Sequence, residues 1–167
     1  MFKGIKSKLD DMGTIRLLCE RAEAHALEDQ QREPAAEHFL LAALDLPDGT
    51  ARLAFERAGV APDALKSAIE QQYVDALGSM GLTADAPHDA SMSPNRGIYH
   101  AAPSGQEIMQ ELATRRKGHG PLLGAHLVGI VAGMSHGVAA RALRALDVDA
   151  ATLKSAADAV IETRRAP

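Results

Sequence analysis

The fold of this chain is decided by the stretch Glu37–Glu70, EHFLLAALDLPDGTARLAFERAGVAPDALKSAIE, which occurs a second time at Ala125–Asp158 as AHLVGIVAGMSHGVAARALRALDVDAATLKSAAD. The two copies align over 34 positions without a gap, at a separation of 88 residues. Nine aligned positions are identical, including the pairs His38/His126, Gly49/Gly137 and Val60/Val148. A repeat of this length indicates a unit of secondary structure that is present twice and buries its apolar face against its own copy.

The spacing of the apolar residues around the repeat is helical. A first helix is predicted from a cap at Asp10 or Asp11 to about Glu28, because apolar residues recur there every three or four positions. Prolines, capping residues and the repeat itself indicate seven more helices. Three of them are predicted to open at the prolines Pro34, Pro62 and Pro121, and one at Thr50. Two others are predicted to be capped by Ser104, with Glu107 completing a capping box, and by Asp149. Gly59 is expected to end the third helix in a left-handed conformation.

We therefore predict an all-α fold of about eight helices, arranged as two four-helix units related by a pseudo-twofold axis. Residues 1–77 would form the first repeat and residues 104–167 the second, packed together as one compact domain. The segment 78–103 is rich in Gly, Pro, Ser, Asn and Asp and has no regular period, which predicts a flexible linker.

Composition excludes several classes of function. The net charge of −4 and pI of about 5.9 leave no excess of Lys and Arg for a phosphate backbone, so nucleic-acid binding is not expected. The single Cys19 cannot form an intramolecular disulfide and lies in an apolar helical pattern, which indicates a small buried residue in a reduced, cytoplasmic protein. No apolar run is long enough to span a membrane, and Met1–Lys8 lacks the apolar core of a secretory signal.

Several motifs of the first copy resemble the Clp N-terminal repeat of Clp-type AAA+ unfoldases. They are a long helix ending in AHAL, then AEH followed by FLLAAL, an acidic turn with glycine, ARLAF, and Gly-Val before the last helix. The resemblance covers about Leu9–Glu162 and is stronger in the first copy. In that family the domain consists of two repeats packed as a pseudo-symmetric helical bundle, and it recruits substrates and adaptor proteins for unfolding.

The resemblance implies a non-catalytic module that recruits or sequesters substrates, degradation signals or adaptors for a Clp unfoldase or protease. The chain has no G-x-x-x-x-G-K-[ST] sequence, so no ATP hydrolysis is expected of it. The expected partner is a protein, the expected oligomeric state a monomer, and no cofactor is expected. The alternative is a stress protein that captures a small ligand, of the phosphoarginine type, independently of the protease.

Catalytic and metal-binding patterns are absent from the sequence. Its seven histidines form no H-E-x-x-H and no i, i+4 pair on one predicted helix face, so no metal site is expected. No G-x-S-x-G or comparable nucleophile signature is present, so we expect no enzyme. The equivalent residues His38 and His126 are interpreted as buried imidazoles, each hydrogen-bonded to a nearby loop carbonyl, with direct ligand binding as the alternative.

Glu37 is the first candidate binding residue. Some relatives bind phosphorylated arginine with a carboxylate at the start of the second helix, and a carboxylate suits a guanidinium through paired, charge-assisted hydrogen bonds. In those relatives the phosphate binds at the start of the first helix, where this chain has Asp10 and Asp11, which would repel a phosphate. The simpler interpretation is that Glu37 is a first-turn residue favoured by the helix dipole.

The second candidate is an apolar groove between the repeats. Such grooves bind peptides or adaptor loops. The residues expected to line it are Phe2, Ile5, Leu9, Tyr73, Ile98 and Tyr99. The alternative is that these side chains only close the core.

Overall fold

The structure, a computed structural model, describes residues 2–82, 99–115 and 120–165, with residues 2–4 as backbone alone. Within these ranges the chain is all-α and forms eight helices. They are α1 (Phe2–Glu28), α2 (Ala36–Leu44), α3 (Thr50–Arg57), α4 (Ala64–Ser79), α5 (Pro103–Arg115), α6 (Gly124–Ala132), α7 (Val138–Ala145) and α8 (Ala150–Arg165). The fold is the double repeat that the sequence predicts.

The middle helices of the two repeats have equal lengths and occupy equivalent positions in the sequence. The helices α2 and α6 both have nine residues, α3 and α7 both have eight, and each pair is offset by 88 positions. The helices α3 and α7 also end alike: the N–H of Val60 donates to the carbonyl of Phe55, and the N–H of Val148 donates to that of Leu143. Gly59 has φ +78°, which confirms the predicted left-handed end of α3.

The start of α1 differs from the prediction. The helix begins at Phe2, so neither Asp10 nor Asp11 caps it. The physical reason is that lengthening an existing helix by one residue gains a hydrogen bond without a new nucleation step, and an aspartate inside a helix costs well under about 1 kcal/mol. Asp11 is instead buried at 5% exposure, and its Oδ1 accepts the N–H of Leu122 at 2.8 Å, which joins α1 to the start of the second repeat.

The two repeats are interlocked. The helices α2 and α6 lie against each other at the centre, whereas α3 packs on α8 of the other repeat and α4 packs on α7. Exchanging α3 with α7 and α4 with α8 preserves these contacts, as a pseudo-twofold axis requires. Because each repeat completes its neighbour's apolar surface, both share one core, whose largest fully buried side chains include Phe39, Phe55, Leu40, Leu65, Leu127 and Leu153.

Polar side chains of one repeat also satisfy the helix ends of the other. Asp48 Oδ2 accepts the N–H of Gly124 at 3.0 Å, and Thr50 Oγ1 accepts that of Ala125 at 2.9 Å, so the turn before α3 caps α6. In the opposite direction, Ser104 Oγ accepts the N–H of Ala36 at 3.1 Å. Ser104 lies inside the first turn of α5, so the prediction that it caps α5 is wrong.

Candidate functional site

The site is built around the third residue of α2 and of α6, which is a histidine in both repeats. His38 Nδ1 accepts the N–H of Ala35 at 2.9 Å, and His126 Nδ1 lies 3.0 Å from the nitrogen of Leu123. The His38 imidazole thereby satisfies a backbone N–H before the first turn of α2, where N–H groups have no acceptor within the helix. His126 Nδ1 also lies 3.2 Å from the carbonyl oxygen of Leu123, so this ring accepts from the N–H or donates to the carbonyl according to its tautomer. The predicted hydrogen bond to a loop carbonyl is wrong for His38, whose partner is a backbone N–H, whereas His126 has the Leu123 carbonyl within hydrogen-bonding distance.

In the first repeat this histidine belongs to a larger polar network. Since Nδ1 of His38 accepts a hydrogen bond, the neutral ring carries its proton on Nε2, which lies 3.1 Å from Oδ2 of Asp29. The Tyr73 hydroxyl is 3.5 Å from the same Nε2, and the two rings stack with centroids 6.4 Å apart. The Tyr73 hydroxyl donates to Oε1 of Glu37, a carboxylate that is 3% exposed.

The structure thus brings together three candidate residues named from the sequence, Glu37, His38 and Tyr73, and adds Asp29. Sequence reasoning missed Asp29 because it lies in the polar run between the first two helices, where a carboxylate is expected in solvent. Its position just after an amphipathic helix gives no indication of a partner. Only the return of α2 along α1 places the imidazole beside it.

The second repeat lacks this network. Ala125 stands in place of Glu37, and Ile161 in place of Tyr73, both buried. With two apolar residues at these positions, α8 packs closely along α6, whereas α4 has little contact with α2. Among the described residues, the departure of α4 from α2 opens the structure on the first-repeat side.

A groove lies where α4 departs, and we call it the Tyr73 groove. It has a volume of about 480 Å³ and is formed by the end of α1, the turn after it and the second half of α4. Its lining residues are Glu28, Asp29, Gln30, Gln31, Glu70, Tyr73, Val74, Ala76, Leu77 and Met80. Two large apolar side chains of its wall are exposed, Val74 at 46% and Met80 at 66%. Such a groove of apolar walls with a few fixed polar groups is typical of a ligand or peptide site.

The charges around the Tyr73 groove are mainly negative. Glu28, Asp29 and Glu70 supply three carboxylates, and none of the described lining residues is basic. One cation of the same repeat, Lys66, is bound to this rim, with its Nζ 2.7 Å from Glu28 Oε2. Burial, followed by the hydrogen bond to Glu37, raises the pKa of Tyr73 far above its ordinary value, so the phenol remains a neutral donor.

The other candidate residues lie elsewhere. Asp10 is on the exposed surface of α1, Asp11 binds the second repeat, and His126 is at the start of α6. Burial lowers the pKa of His126 below its ordinary value. No site formed by all six predicted residues is present.

The groove between the repeats does not form from the predicted residues. Ile5 and Leu9 lie on the projecting start of α1, 58% and 62% exposed. The Tyr99 hydroxyl meets the thiol of Cys19, far along α1 from Leu9. Tyr73 lines the groove described above, whereas the side chain of Phe2 and residue Ile98 lie outside the described residues. The physical reason is the early start of α1, which carries its first two turns beyond the body of the domain.

Among the described residues, no three His, Cys, Asp or Glu side chains converge in a way that would hold a metal ion. The same part of the chain contains no helix with the length and hydropathy needed to cross a membrane. Cys19 is partly buried beside the core, and burial raises the pKa of its thiol, which makes it a poor nucleophile.

Comparison with known families gives a match over residues 14–94, to the Clp repeat (R) N-terminal domain. No curated protein matches the chain. The matched range covers most of α1 and all of α2, α3 and α4, and therefore includes the polar network and the Tyr73 groove. Domains of this family are non-catalytic modules that bind proteins in Clp systems. The two interlocked repeats, the shared histidine and the family match together show that the chain contains a Clp N-terminal repeat domain, matched over residues 14–94.

Proposed function

We propose that this protein is a binding module that recruits or sequesters polypeptide substrates, degradation signals or adaptors for a Clp unfoldase or protease. The observation that carries the proposal is the Tyr73 groove, an apolar-walled cavity within the range that matches a protein-binding family. A bound segment would bury Val74 and Met80, which are exposed in this structure.

The polar network supports this function by holding the groove open. Glu37 and Tyr73 occupy the space between α2 and α4 that the second repeat fills with Ala125 and Ile161. The hydroxyl of Tyr73 is bonded to the buried Glu37 carboxylate and its ring stacks on His38, so two contacts hold this lining residue in place before any partner binds. A preformed site loses less conformational entropy on binding than a flexible one.

The test is an NMR titration of labelled protein with a permanently unfolded polypeptide, such as reduced and alkylated α-lactalbumin. Shifts concentrated at Tyr73, Val74 and Met80 are the expected result. A second titration with the purified Clp unfoldase of the host asks whether the other faces of the domain are engaged. If neither titration changes any spectrum, the proposed function is wrong.

A second candidate function, capture of a small ligand, is favoured by the size of the Tyr73 groove. Phosphoarginine is a poor choice for that ligand. The Glu37 carboxylate, which would hold the guanidinium, is buried and bonded to Tyr73. The helix α1 begins more than two turns before Asp10 and Asp11, so these positions are not the helix start at which relatives bind the phosphate. A thermal-shift screen with guanidinium compounds and phosphoarginine tests this function, because a ligand that binds only the folded state raises the melting temperature.

A further inference from the structure

We propose that the Tyr73 groove selects polypeptide segments in which lysine or arginine lies next to large apolar side chains. The inference rests on the proposed function and specifies its substrate class. It is carried by three features of the groove: its apolar wall, its carboxylate rim and the helix ends that surround it.

The apolar wall determines the hydrophobic part of the ligand. Val74 and Leu77 lie on the second half of α4 and Met80 directly follows its last residue, and their spacing of three residues forms one stripe along the groove. A cavity of about 480 Å³ is large enough for more than one large apolar side chain, but small for a folded domain. The occupant is therefore a short extended or helical segment.

The rim determines the charge. Glu28 and Glu70 are exposed lining residues, whereas Asp29, which directly follows α1, is largely buried and bonded to His38. Lys66 is bonded to Glu28 and also interacts with Glu70 and Asp29, so one cation faces three carboxylates. Two other bases lie near: Arg32 follows the lining residue Gln31 in sequence, and Arg141 on α7 is close enough to Tyr73 to affect its phenol.

Helix dipoles add to the same field. The C-terminal turns of α1 and α4 both border the groove, at Glu28 and at Ser79 to Met80. The C-terminus of a helix carries roughly half a negative charge, which attracts cations. Two such ends and three carboxylates all favour a cationic ligand and repel an acidic one.

The experiment measures fluorescence anisotropy with a labelled peptide in which arginines flank a leucine–phenylalanine pair. One control peptide replaces the arginines with glutamates, and another replaces the leucine and phenylalanine with serines. We expect the first peptide alone to bind well, with an affinity that falls as the salt concentration rises through the physiological range.

Two exposed positions provide variants that leave the fold intact. Glu70→Lys exchanges an attraction for a repulsion at the rim and is expected to weaken binding about tenfold, from the usual strength of exposed charge pairs. Met80→Ser removes part of the wall and is expected to weaken binding about fivefold. The matched control is Glu56→Lys on α3, an exposed residue outside the groove that changes the net charge equally.

Equal weakening by Glu56→Lys and Glu70→Lys would overturn the proposal, since overall charge would then explain the binding. Equal binding of the glutamate peptide would overturn it as well. If unfolded α-lactalbumin shifts the groove resonances while the arginine peptide fails to bind, only the charge preference is wrong and the proposed function stands. Self-association that depends on Glu70 would show that the occupant is a second copy of this chain, which also refutes the inference.

Discussion

The hydrogen bond between Tyr73 and Glu37 should be measurable as a coupling energy. The Tyr73→Phe substitution removes the hydroxyl that donates to Glu37 Oε1 and leaves the ring in place. The Glu37→Ala substitution introduces the residue that the second repeat has at the equivalent position, Ala125. Both single variants and the double variant complete a cycle that isolates the pair.

The magnitude follows from burial. A hydrogen bond to a charged group contributes about 1.5–3 kcal/mol, and the Glu37 carboxylate is 3% exposed. Because the Tyr73 ring is only half-buried, solvent replaces part of the lost bond, and we expect Tyr73→Phe to cost about 1–2 kcal/mol. For a chain of this length that lowers the melting temperature by about 2–8 °C. In the Glu37→Ala background the same change should be nearly neutral, which gives a coupling of about 1–2 kcal/mol.

The assay is urea denaturation of the four proteins at neutral pH, followed by circular dichroism. Tyr99→Phe is the matched control, because Tyr99 is the other tyrosine of the chain and its hydroxyl is bonded to the weakly polar Cys19 thiol. That control should change stability by less than about 0.5 kcal/mol. If the effects of Glu37→Ala and Tyr73→Phe simply add, the buried carboxylate does not depend on the phenol, and the argument that the network stabilises the groove fails.

Three further predictions concern packing and ionisation. Gly105→Ala should destabilise the protein by about 1–3 kcal/mol in urea denaturation, because a Cβ there would lie 2.4 Å from the Pro34 carbonyl oxygen. Gly13→Ala adds a Cβ in open space inside α1 and should stabilise the protein by about 0.5–1 kcal/mol. The same sign for both variants would contradict the packing argument. Both tyrosines have a raised pKa through burial, so tyrosinate absorbance should stay absent in the folded protein above pH 10, and its appearance at the ordinary pKa of 10.0 without unfolding would refute this. Burial lowers the pKa of His126 from 6.5, so the contribution of the neutral imidazole to stability is present above that pH and is lost as the pH falls. Thermal denaturation should therefore show that His126→Gln loses less stability than the wild type between neutral pH and about pH 5. Parallel curves of melting temperature against pH would exclude this role.

The sequence alone determined the helices that depend on local signals. The presence and order of α2, α3, α6 and α7 follow from apolar spacing, and the 88-residue offset shows that the pattern occurs twice. The predicted openings at Pro34 and Pro121 are wrong by two and three residues, because α2 begins at Ala36 and α6 at Gly124. The motifs of the first repeat were also sufficient to predict the family, which the match over residues 14–94 confirms. These features need only neighbours within a few residues, because caps and helical periodicity act over one or two turns.

Tertiary structure alone decided the rest. Asp11 and Asp48 look like helix caps or surface carboxylates in sequence, but both bind backbone N–H groups of the other repeat, more than 70 positions away. Asp29 meets His38, and Tyr73 meets Glu37, only because α2 returns along α1 while α4 leaves to pack on α7. The groove exists because two repeats with one backbone plan carry different side chains at two positions between their helices. Such a difference has no local signature, since its effect is the distance between helices that long-range packing sets.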